Sequence, residues 1–566
     1  MGEILKTGRN PFFYVCLRAR TVLWMFLIGA QLSFGQSAPF QSSNLPIFII
    51  NTQGNTIVDE PKILADLEII YNGPGKRNSL TDSSRYFRGS IGVEYRGSTS
   101  QTLSPKKPLG FETRKEDGES NLNVSLLGMP EENDWILLAP YSDKSLMRDV
   151  LIHHVARQIT PYSSRTAFCE LVTNGQYMGV YALMEKIKRD KNRVNIRDLE
   201  PKDVSGDKLT GGYILKIDKT TGSNPVGGFD SKFRSGNGNN SQSTFYQYEH
   251  PEVDVLTDEQ KSYIRNLVHA FEASFLQPDY TDPVNGYRKW VDEESMIRFM
   301  ILNELANNVD GYRLSTFLYK DADNRNKKIH FGPIWDFNLG FGNANYCEGG
   351  SSEVLAFEFN NRCPADAWQV PFYWHYLTQD SLYNTNLYKR WSEWRKTILS
   401  EQNLMAAIDS MAALLEEAQV RNFQRWNILS QHVWPNAYVG GSYSNEIQYL
   451  KNWLSKRLVY LDGVFKQATL PKYYPERYFE PVVFPNPALQ GQEVTFKYYI
   501  HDYDQIRIEV HDILGRRMFH IEDGSHYSGT NQVKSTSLRL PSGIYVYNIY
   551  IEGQKKAFQT GKLLIR

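Results

Sequence analysis

The sequence predicts an α+β chain of two lobes, strand-rich in front and helix-rich behind, followed by a small all-β Ig-like sandwich. Three observations carry that prediction. Short apolar runs punctuated by Gly, Asn and Pro fill residues 45–115, and runs with helical periodicity take over beyond about 255. After a Pro-rich stretch, short alternating runs return from about 485 to the end.

Residues 1–36 read as a signal peptide. Arg9, Arg18 and Arg20 precede the apolar run 21–35, and small residues around Gly35 and Ser37 suit cleavage. That run is shorter than the roughly 20 residues of a spanning helix, and no second one follows, so the mature chain is expected to have no transmembrane helix. The 63 basic and 63 acidic side chains cancel, which removes the electrostatic footprint of a general nucleic-acid binder. With 41% hydrophobic and 22% charged residues the chain is not of disordered composition.

In the front lobe, about 45–218, LPIFIINT, ADLEIIYN, SIGVEYRG and KPLGFETR read as strands. Residues 142–159 read as a helix with a Ser/Asp start, 167–187 as a hairpin about Asn174-Gly175, and 211–218 as a buried strand. In the back lobe, about 219–470, the helix at 294–308 is apolar nearly all round, and those at 403–418 and 444–465 are amphipathic. Between them 310–342 reads as β. A linker at 471–484 precedes the sandwich at 485–566. Cys347 and Cys363 remain in an exported chain and could close a short loop; two free buried thiols is the other reading.

The chemistry centres on two acids. Asp336 lies in HFGPIWDFNLGFGN, where Trp335 and Phe337 would bury alternate faces of a strand end; Asp310 lies 26 residues earlier in ANNVDGYRLSTFLYKD. A hairpin between the intervening strands would bring both carboxylates to one end of a sheet. One acid accepting a hydroxyl proton and one holding a hard cation suit phosphoryl transfer with Mg²⁺, although acids at hairpin ends are more often turn formers. Lys106 and Lys107 enter a strand after an Arg-Gly-Ser turn, and Glu185 precedes five basic residues; either group is a solvated charge cluster or an anion contact. His153 and His154, adjacent on a helix, cannot present both rings to one metal on one face. No HExxH, CxxC, GxSxG, GxGxxG or GxxxxGK[ST] pattern occurs. Trp368, Trp374, Trp391 and Trp394 form core or, less commonly, a sugar platform.

Six segments in order, YRGSTSQ with PKKPLGF, NDWILLAPYSDKSLMRD, YMGVYALMEKI, GGYILKID, DGYRLSTFLYKD and GPIWDFNLGFGN, resemble the CotH kinase family of spore-coat protein H-like atypical kinases. The resemblance implies a two-lobed, atypical protein-kinase-like fold without the usual Gly-rich loop, using ATP and Mg²⁺ on a protein substrate. It implies Asp310 as the catalytic acid, Asp336 as a metal ligand, and Lys107, with Lys106 as rival, on the phosphates; Arg148 and Glu185 match family positions of less definite role. Where the family has an Asn for the second cation, this chain has Ser315, whose hydroxyl is a weaker Mg²⁺ ligand, and Asn338 is a nearby oxygen donor offered as a further ligand. That departure leaves a pseudokinase or adhesion module as the alternative. FPNPA, VHDILGR, LPSGIYVYNIYIEG and KLLIR resemble the C-terminal sorting domain of the type IX secretion system. This implies a Bacteroidetes-type cell, the secretion machinery as a partner, and release or surface attachment by way of the periplasm.

Overall fold

The computed structural model describes residues 40–220, 227–236, 241–467, 482–500, 504–526, 529–535, 538–551, 557 and 559–566. The signal peptide at 1–36 and most of the linker at 471–484 lie outside them.

Seven strands of the front region close into a barrel. They are β1 (Ile47–Asn51), β2 (Ile63–Ile70), β3 (Phe87–Tyr95), β4 (Leu109–Arg114), β5 (Asp134–Leu138), β6 (Thr166–Thr173) and β7 (Gln176–Glu185). The order is β1-β2-β3-β4-β5-β7-β6, and β6 closes the ring by pairing parallel to β1. Alternation decides which way each strand faces: Ala65, Leu67 and Ile69 point inward while Asp66 and Glu68 point out. The β6–β7 hairpin turns on Asn174 and Gly175, both at positive φ (50° and 76°), as a two-residue turn matched to strand twist requires.

Between β5 and β6 runs helix α1 (Arg148–Ile159). It starts six residues later than the sequence pattern suggests. Asp143 accepts the amides of Ser145 (3.0 Å) and Arg148 (2.8 Å), and Leu146 is left-handed (φ 63°), so the chain turns before it coils.

A second sheet has the order β9-β10-β8-β11-β12, from β8 (Tyr213–Ile217), β9 (Gly228–Ser235), β10 (Gln242–His250), β11 (Thr316–Lys320) and β12 (Ile329–Phe331). The strand at 213–217 thus joins this sheet and not the barrel. Only two short pieces of 310–342 are strand; the stretch after Phe331 is irregular, with positive φ at Gly332, Asp336, Phe341 and Gly342.

The longer helices are α2 (Asp258–Ser274), α3 (Glu293–Ala306), α4 (Ser381–Arg395), α5 (Glu401–Arg425) and α6 (Tyr443–Phe465). Asp292, Ser400 and Ser442 cap α3, α5 and α6. Eleven of the fourteen α3 residues are buried, as its all-round apolarity requires. Helix α5 runs past 418 because its last turns grip the barrel: Arg421 pairs with Glu170 (2.6 Å), and Asn422 accepts the Val180 amide (3.1 Å). Trp374 and Trp391 are fully buried, so they belong to the core; Trp368 is exposed. No helix among the described residues is long and apolar enough to cross a membrane.

At the C-terminus, β13 (Val482–Phe484), β14 (Thr495–Ile500) and β17 (Gly529–Lys534) form one sheet. The other, in the order β16-β15-β18-β19, comprises β15 (Asp504–Asp512), β16 (Arg517–His526), β18 (Gly543–Ile551) and β19 (Gln559–Ile565). Val494, Phe496, Ile508, Val510, Ile549 and Leu563 fill the space between them.

Candidate functional site

Strands β11 and β12 pair antiparallel with Leu318 opposite Phe331, so the segments before β11 and after β12 leave the sheet at the same end. Asp310 lies on the first and Asp336 on the second. Asp336 is not on a strand end: it lies five residues beyond β12 with φ 59°, a left-handed conformation unusual for a side-chain-bearing residue. Two neighbours hold it there. Asp149, in the first turn of α1, accepts the Phe337 amide at 2.7 Å, and Asn308 donates through Nδ2 to the Asp336 carbonyl at 3.2 Å. The same Asn308 accepts the Asp310 amide on Oδ1 at 3.3 Å, so one buried side chain ties the two acidic segments together.

Of the gathered carboxylates, Asp310 has a direct ion pair, with Arg313 (2.8 Å), and the others are balanced less closely. Asp336 remains open to solvent, yet the protein packed around it pushes its pKa up to about 8, with further upward contributions from Asp149, Asp310 and Asp218; Lys219 acts in the opposite sense. Asp149 is pushed up to about 7, first by burial and then by Asp143, against the pull of the Phe337 amide. Asp218, at the end of β8, is raised by burial and by Asp310, although it accepts the amides of Lys219 and Ser315. Besides Arg313 on Asp310, two cations face this group. Arg96, just past β3, lies 5.6 Å from the Trp335 ring centroid within electrostatic reach of Asp336, and Lys219 lies 5.3 Å from that of Trp368.

Among the described residues, no group of three or more His, Cys, Asp or Glu side chains is arranged to hold a metal ion. The donor set still fits Mg²⁺, which takes one or two protein carboxylates and fills its shell with phosphate and water oxygens. A groove of about 560 Å³ between Gly227, Gly228 and the α2 residues Lys261 and Arg265 contains none of these aspartates.

The other residues singled out in the sequence lie elsewhere or act through the backbone. Lys106 is buried, with its ammonium on the Val180 carbonyl and on Asn422 Oδ1 (2.9 Å); the charges it feels are Asp143 and Glu170, and burial brings its pKa down to about 7. Lys107 Nζ donates to the Gln101 carbonyl. Arg148 is buried and pairs with Asp143, shaping the entry to α1. Glu185, fully buried at the end of β7, accepts the Arg165 amide (2.9 Å) and its guanidinium (2.8 Å). Ser315 (φ 48°) reaches the site through its amide on Asp218, and the Asn338 carbonyl accepts from Asn343 (2.8 Å). His153 is a core residue, bonded to Ser163 Oγ (2.7 Å) and held neutral by burial with its pKa down to about 3.

Sequence reasoning missed Arg96, Asp149, Asp218, Lys219 and Asn308. All of them lie inside the motifs it used or directly beside them, as in YRGSTSQ, SLMRD, GGYILKID and ANNVDGYRLSTFLYKD. Each follows a strand or lies at a helix end, where a polar residue reads equally well as a cap or a turn former.

The structure thus gathers four aspartates at one end of a sheet, with Arg96, Lys219 and Arg313 about them. The family model for CotH kinase protein matches residues 93–461, well over half of the chain, and the chain belongs to that family. The model for the secretion system C-terminal sorting domain matches residues 482–566, which coincide with the sandwich; the protein is exported, for secretion or display at the cell surface. No curated protein matches the chain. Among solved structures, the Pseudomonas fluorescens alkylpurine DNA glycosylase AlkC bound to DNA containing an abasic site analog is similar over 37% of this chain and 60% of its own, less than two thirds of its length. The identity is 9% and the TM-score 0.12, a likeness that carries no argument.

Proposed function

We propose that the chain is an exported atypical protein kinase of two lobes that transfers the γ-phosphoryl group of ATP, with Mg²⁺, to a hydroxyl of a protein substrate. The observation that supports this best is Asp336: a solvent-reached carboxylate, fixed through the carbonyl and the N–H of the peptide group that follows it, repelled by three other aspartates and faced by Arg96 and Lys219. Asp336 would hold Mg²⁺, with the Ser315 hydroxyl and the Asn338 side chain as further oxygen donors; the bound ion would neutralise charge on the transferring phosphate. Arg96 and Lys219 take the phosphate oxygens, and Lys107 joins them if the nucleotide draws its ammonium off the Gln101 carbonyl. Lys106 is the weaker rival, since both of its acceptors are protein atoms in the core. Asp310 accepts the proton of the attacking hydroxyl. Arg148 and Glu185 act at a distance, Arg148 by setting the start of α1 and therefore Asp149, and Glu185 by fixing the end of the barrel.

The test is transfer of label from γ-labelled ATP by the purified mature chain with Mg²⁺, beside Asp310→Ala and Asp336→Ala. Label in the native protein alone supports the reading; equal labelling of all three, or of none, refutes it. Ser315, in place of the family's amide side chain, favours a second reading, a pseudokinase or surface binding module. That reading expects thermal stabilisation by ATP without any labelling.

A further inference from the structure

The turn that carries Asp310 is overlaid by a loop whose ends are joined by a disulfide, Cys347–Cys363. Three sets of contacts tie that loop to the turn. Tyr346, directly before Cys347, brings its hydroxyl to 3.5 Å from Asp310 Oδ1. Asp366, three residues past Cys363, accepts Arg313 Nη1 at 3.0 Å, and the same guanidinium donates through Nη2 to Asp310 Oδ1 at 2.8 Å. Within the loop, the carbonyls of Glu348 (3.2 Å) and Ser351 (3.0 Å) accept from Asn307, which ends α3 three residues before Asp310.

Arg313 is buried. Its Nε donates to the Val309 carbonyl (2.8 Å), and its guanidinium lies 3.8 Å from the ring centroid of Phe359, a residue inside the loop. Asp366 is joined to the disulfide's end, its amide donating to the Cys363 carbonyl (3.1 Å), an acceptor it shares with Gln369 Nε2 (3.1 Å); Gln369 Nε2 also donates to the Asp366 carbonyl (3.0 Å) and the Trp368 amide to its Oδ1 (2.8 Å). Both contacts to Asp310 fall on Oδ1. Oδ2 has no hydrogen-bond partner among the described residues, which leaves it for an incoming hydroxyl. A rigid planar guanidinium with one N–H on each carboxylate fixes the spacing of the two acids, which the single flexible ammonium of a lysine does not.

We infer that Arg313 is the positioning residue of Asp310, and that the Cys347–Cys363 disulfide keeps it in place through Asp366, so that the acid is aligned only in the oxidised chain. The rate consequence rests on the kinase reading above; the structural one does not. A chain in a reducing compartment lacks the clamp, and an exported chain acquires it.

The experiment compares the full mature chain with Cys347→Ser/Cys363→Ser, Arg313→Lys and Asp366→Asn. Phosphotransfer kcat and the KM for ATP are measured at saturating Mg²⁺, together with hydrogen–deuterium exchange over residues 307–315. The expected result is a kcat about 10²-fold lower in the double-serine and Arg313→Lys variants, the scale of a small misplacement of a reacting group, with KM for ATP unchanged. Exchange at 307–315 is expected to be faster while the barrel keeps its protection. Native exchange at 307–315 in the double-serine variant, or an unchanged kcat, overturns the proposal, as does an equal loss of protection throughout the chain. If the double variant does not fold, Asp366→Asn decides by the same two readouts. If the native protein transfers no phosphate, the kinase reading falls and exchange alone decides the clamp: faster at 307–315 upholds it, unchanged overturns it.

Discussion

Buried charge is handled in opposite ways in two regions of this molecule. In the helical region, Glu304 and Arg457 are both fully buried and matched: Arg457 donates to the Glu304 carboxylate (3.1 Å) and to its carbonyl (2.6 Å), while the carboxylate also takes the amides of Ala356 and Phe357 and the hydroxyl of Tyr312. At the end of the β11–β12 hairpin, Asp336 is instead placed within reach of Asp149, Asp218 and Asp310; Asp310 is paired with Arg313 (2.8 Å), while for Asp336 hydrogen bonds fix the backbone and do not neutralise the charge. Matched charge of the first kind serves architecture. Charge left unmatched on a fixed backbone is stored repulsion, which a cationic ligand relieves.

The largest effect is expected where the matched pair is broken. Arg457→Leu leaves Glu304 buried without its cation and should cost about 3–5 kcal/mol of unfolding free energy, read from denaturant melts of the full chain. A cost under about 1 kcal/mol would show that the pair is not what holds the loop at 352–357 to α3.

The reverse is expected at the unmatched site. Asp336→Ala should lower phosphotransfer by on the order of 10²–10³ while leaving the melting temperature at pH 7 no lower than native. The pH dependence follows from the same repulsion. The folded-state pKa values of Asp336 (about 8) and Asp149 (about 7) lie above the ordinary 3.8, so their contribution to stability is fully present below pH 4 and is lost as pH rises through 7 and 8. Native protein should therefore melt lower at pH 9 than at pH 5 in the absence of divalent cations, and Asp336→Asn should flatten that slope. Mg²⁺ should stabilise native protein more at pH 9 than at pH 5. A Mg²⁺ shift equal at both pH values would remove the link between repulsion and metal binding.

The cations give a smaller, more selective effect. Arg96→Gln removes the charge beside Trp335 and should raise the KM for ATP about tenfold with kcat little changed, the scale of one charge-assisted hydrogen bond. Steady-state kinetics at fixed Mg²⁺ would show it, and an unchanged KM would remove Arg96 from the phosphate site.

The same contrast explains what was legible in the sequence. The hairpin register is written in residue alternation and in Asn174-Gly175, and the pairing of β11 with β12 followed from two apolar runs; these are local rules. The placement of Asp310 and Asp336 at one end of a sheet came out of that pairing. What stayed hidden depends on contacts between distant segments. Asp149 reaches Phe337 across 188 residues, and Lys106 meets Asn422 across 316, so no local pattern distinguishes the acid that joins the site from the lysine that is sealed in the core. The late start of α1 was missed for a smaller reason: Asp143 reads as a helix cap, and it is one, but for a turn that precedes the helix.

Asn308 offers the finest test of how the unmatched site is held. Its amide spans the two acidic segments, giving a proton to the Asp336 carbonyl and taking one from the Asp310 amide. Asn308→Ala loses both bonds in a buried position and should cost about 1–2 kcal/mol of stability. Asn308→Asp keeps an oxygen for the Asp310 amide, loses the donor to Asp336, and adds a fifth carboxylate to the group. If Asn308 serves only packing, the two variants should lose activity in proportion to stability. If it sets the distance between the acids, Asn308→Asp should lose about tenfold in kcat beyond its stability cost, and raising Mg²⁺ should recover part of that loss, because added negative charge strengthens cation binding while the geometry stays wrong. Melting curves and a Mg²⁺ titration of kcat separate the two outcomes.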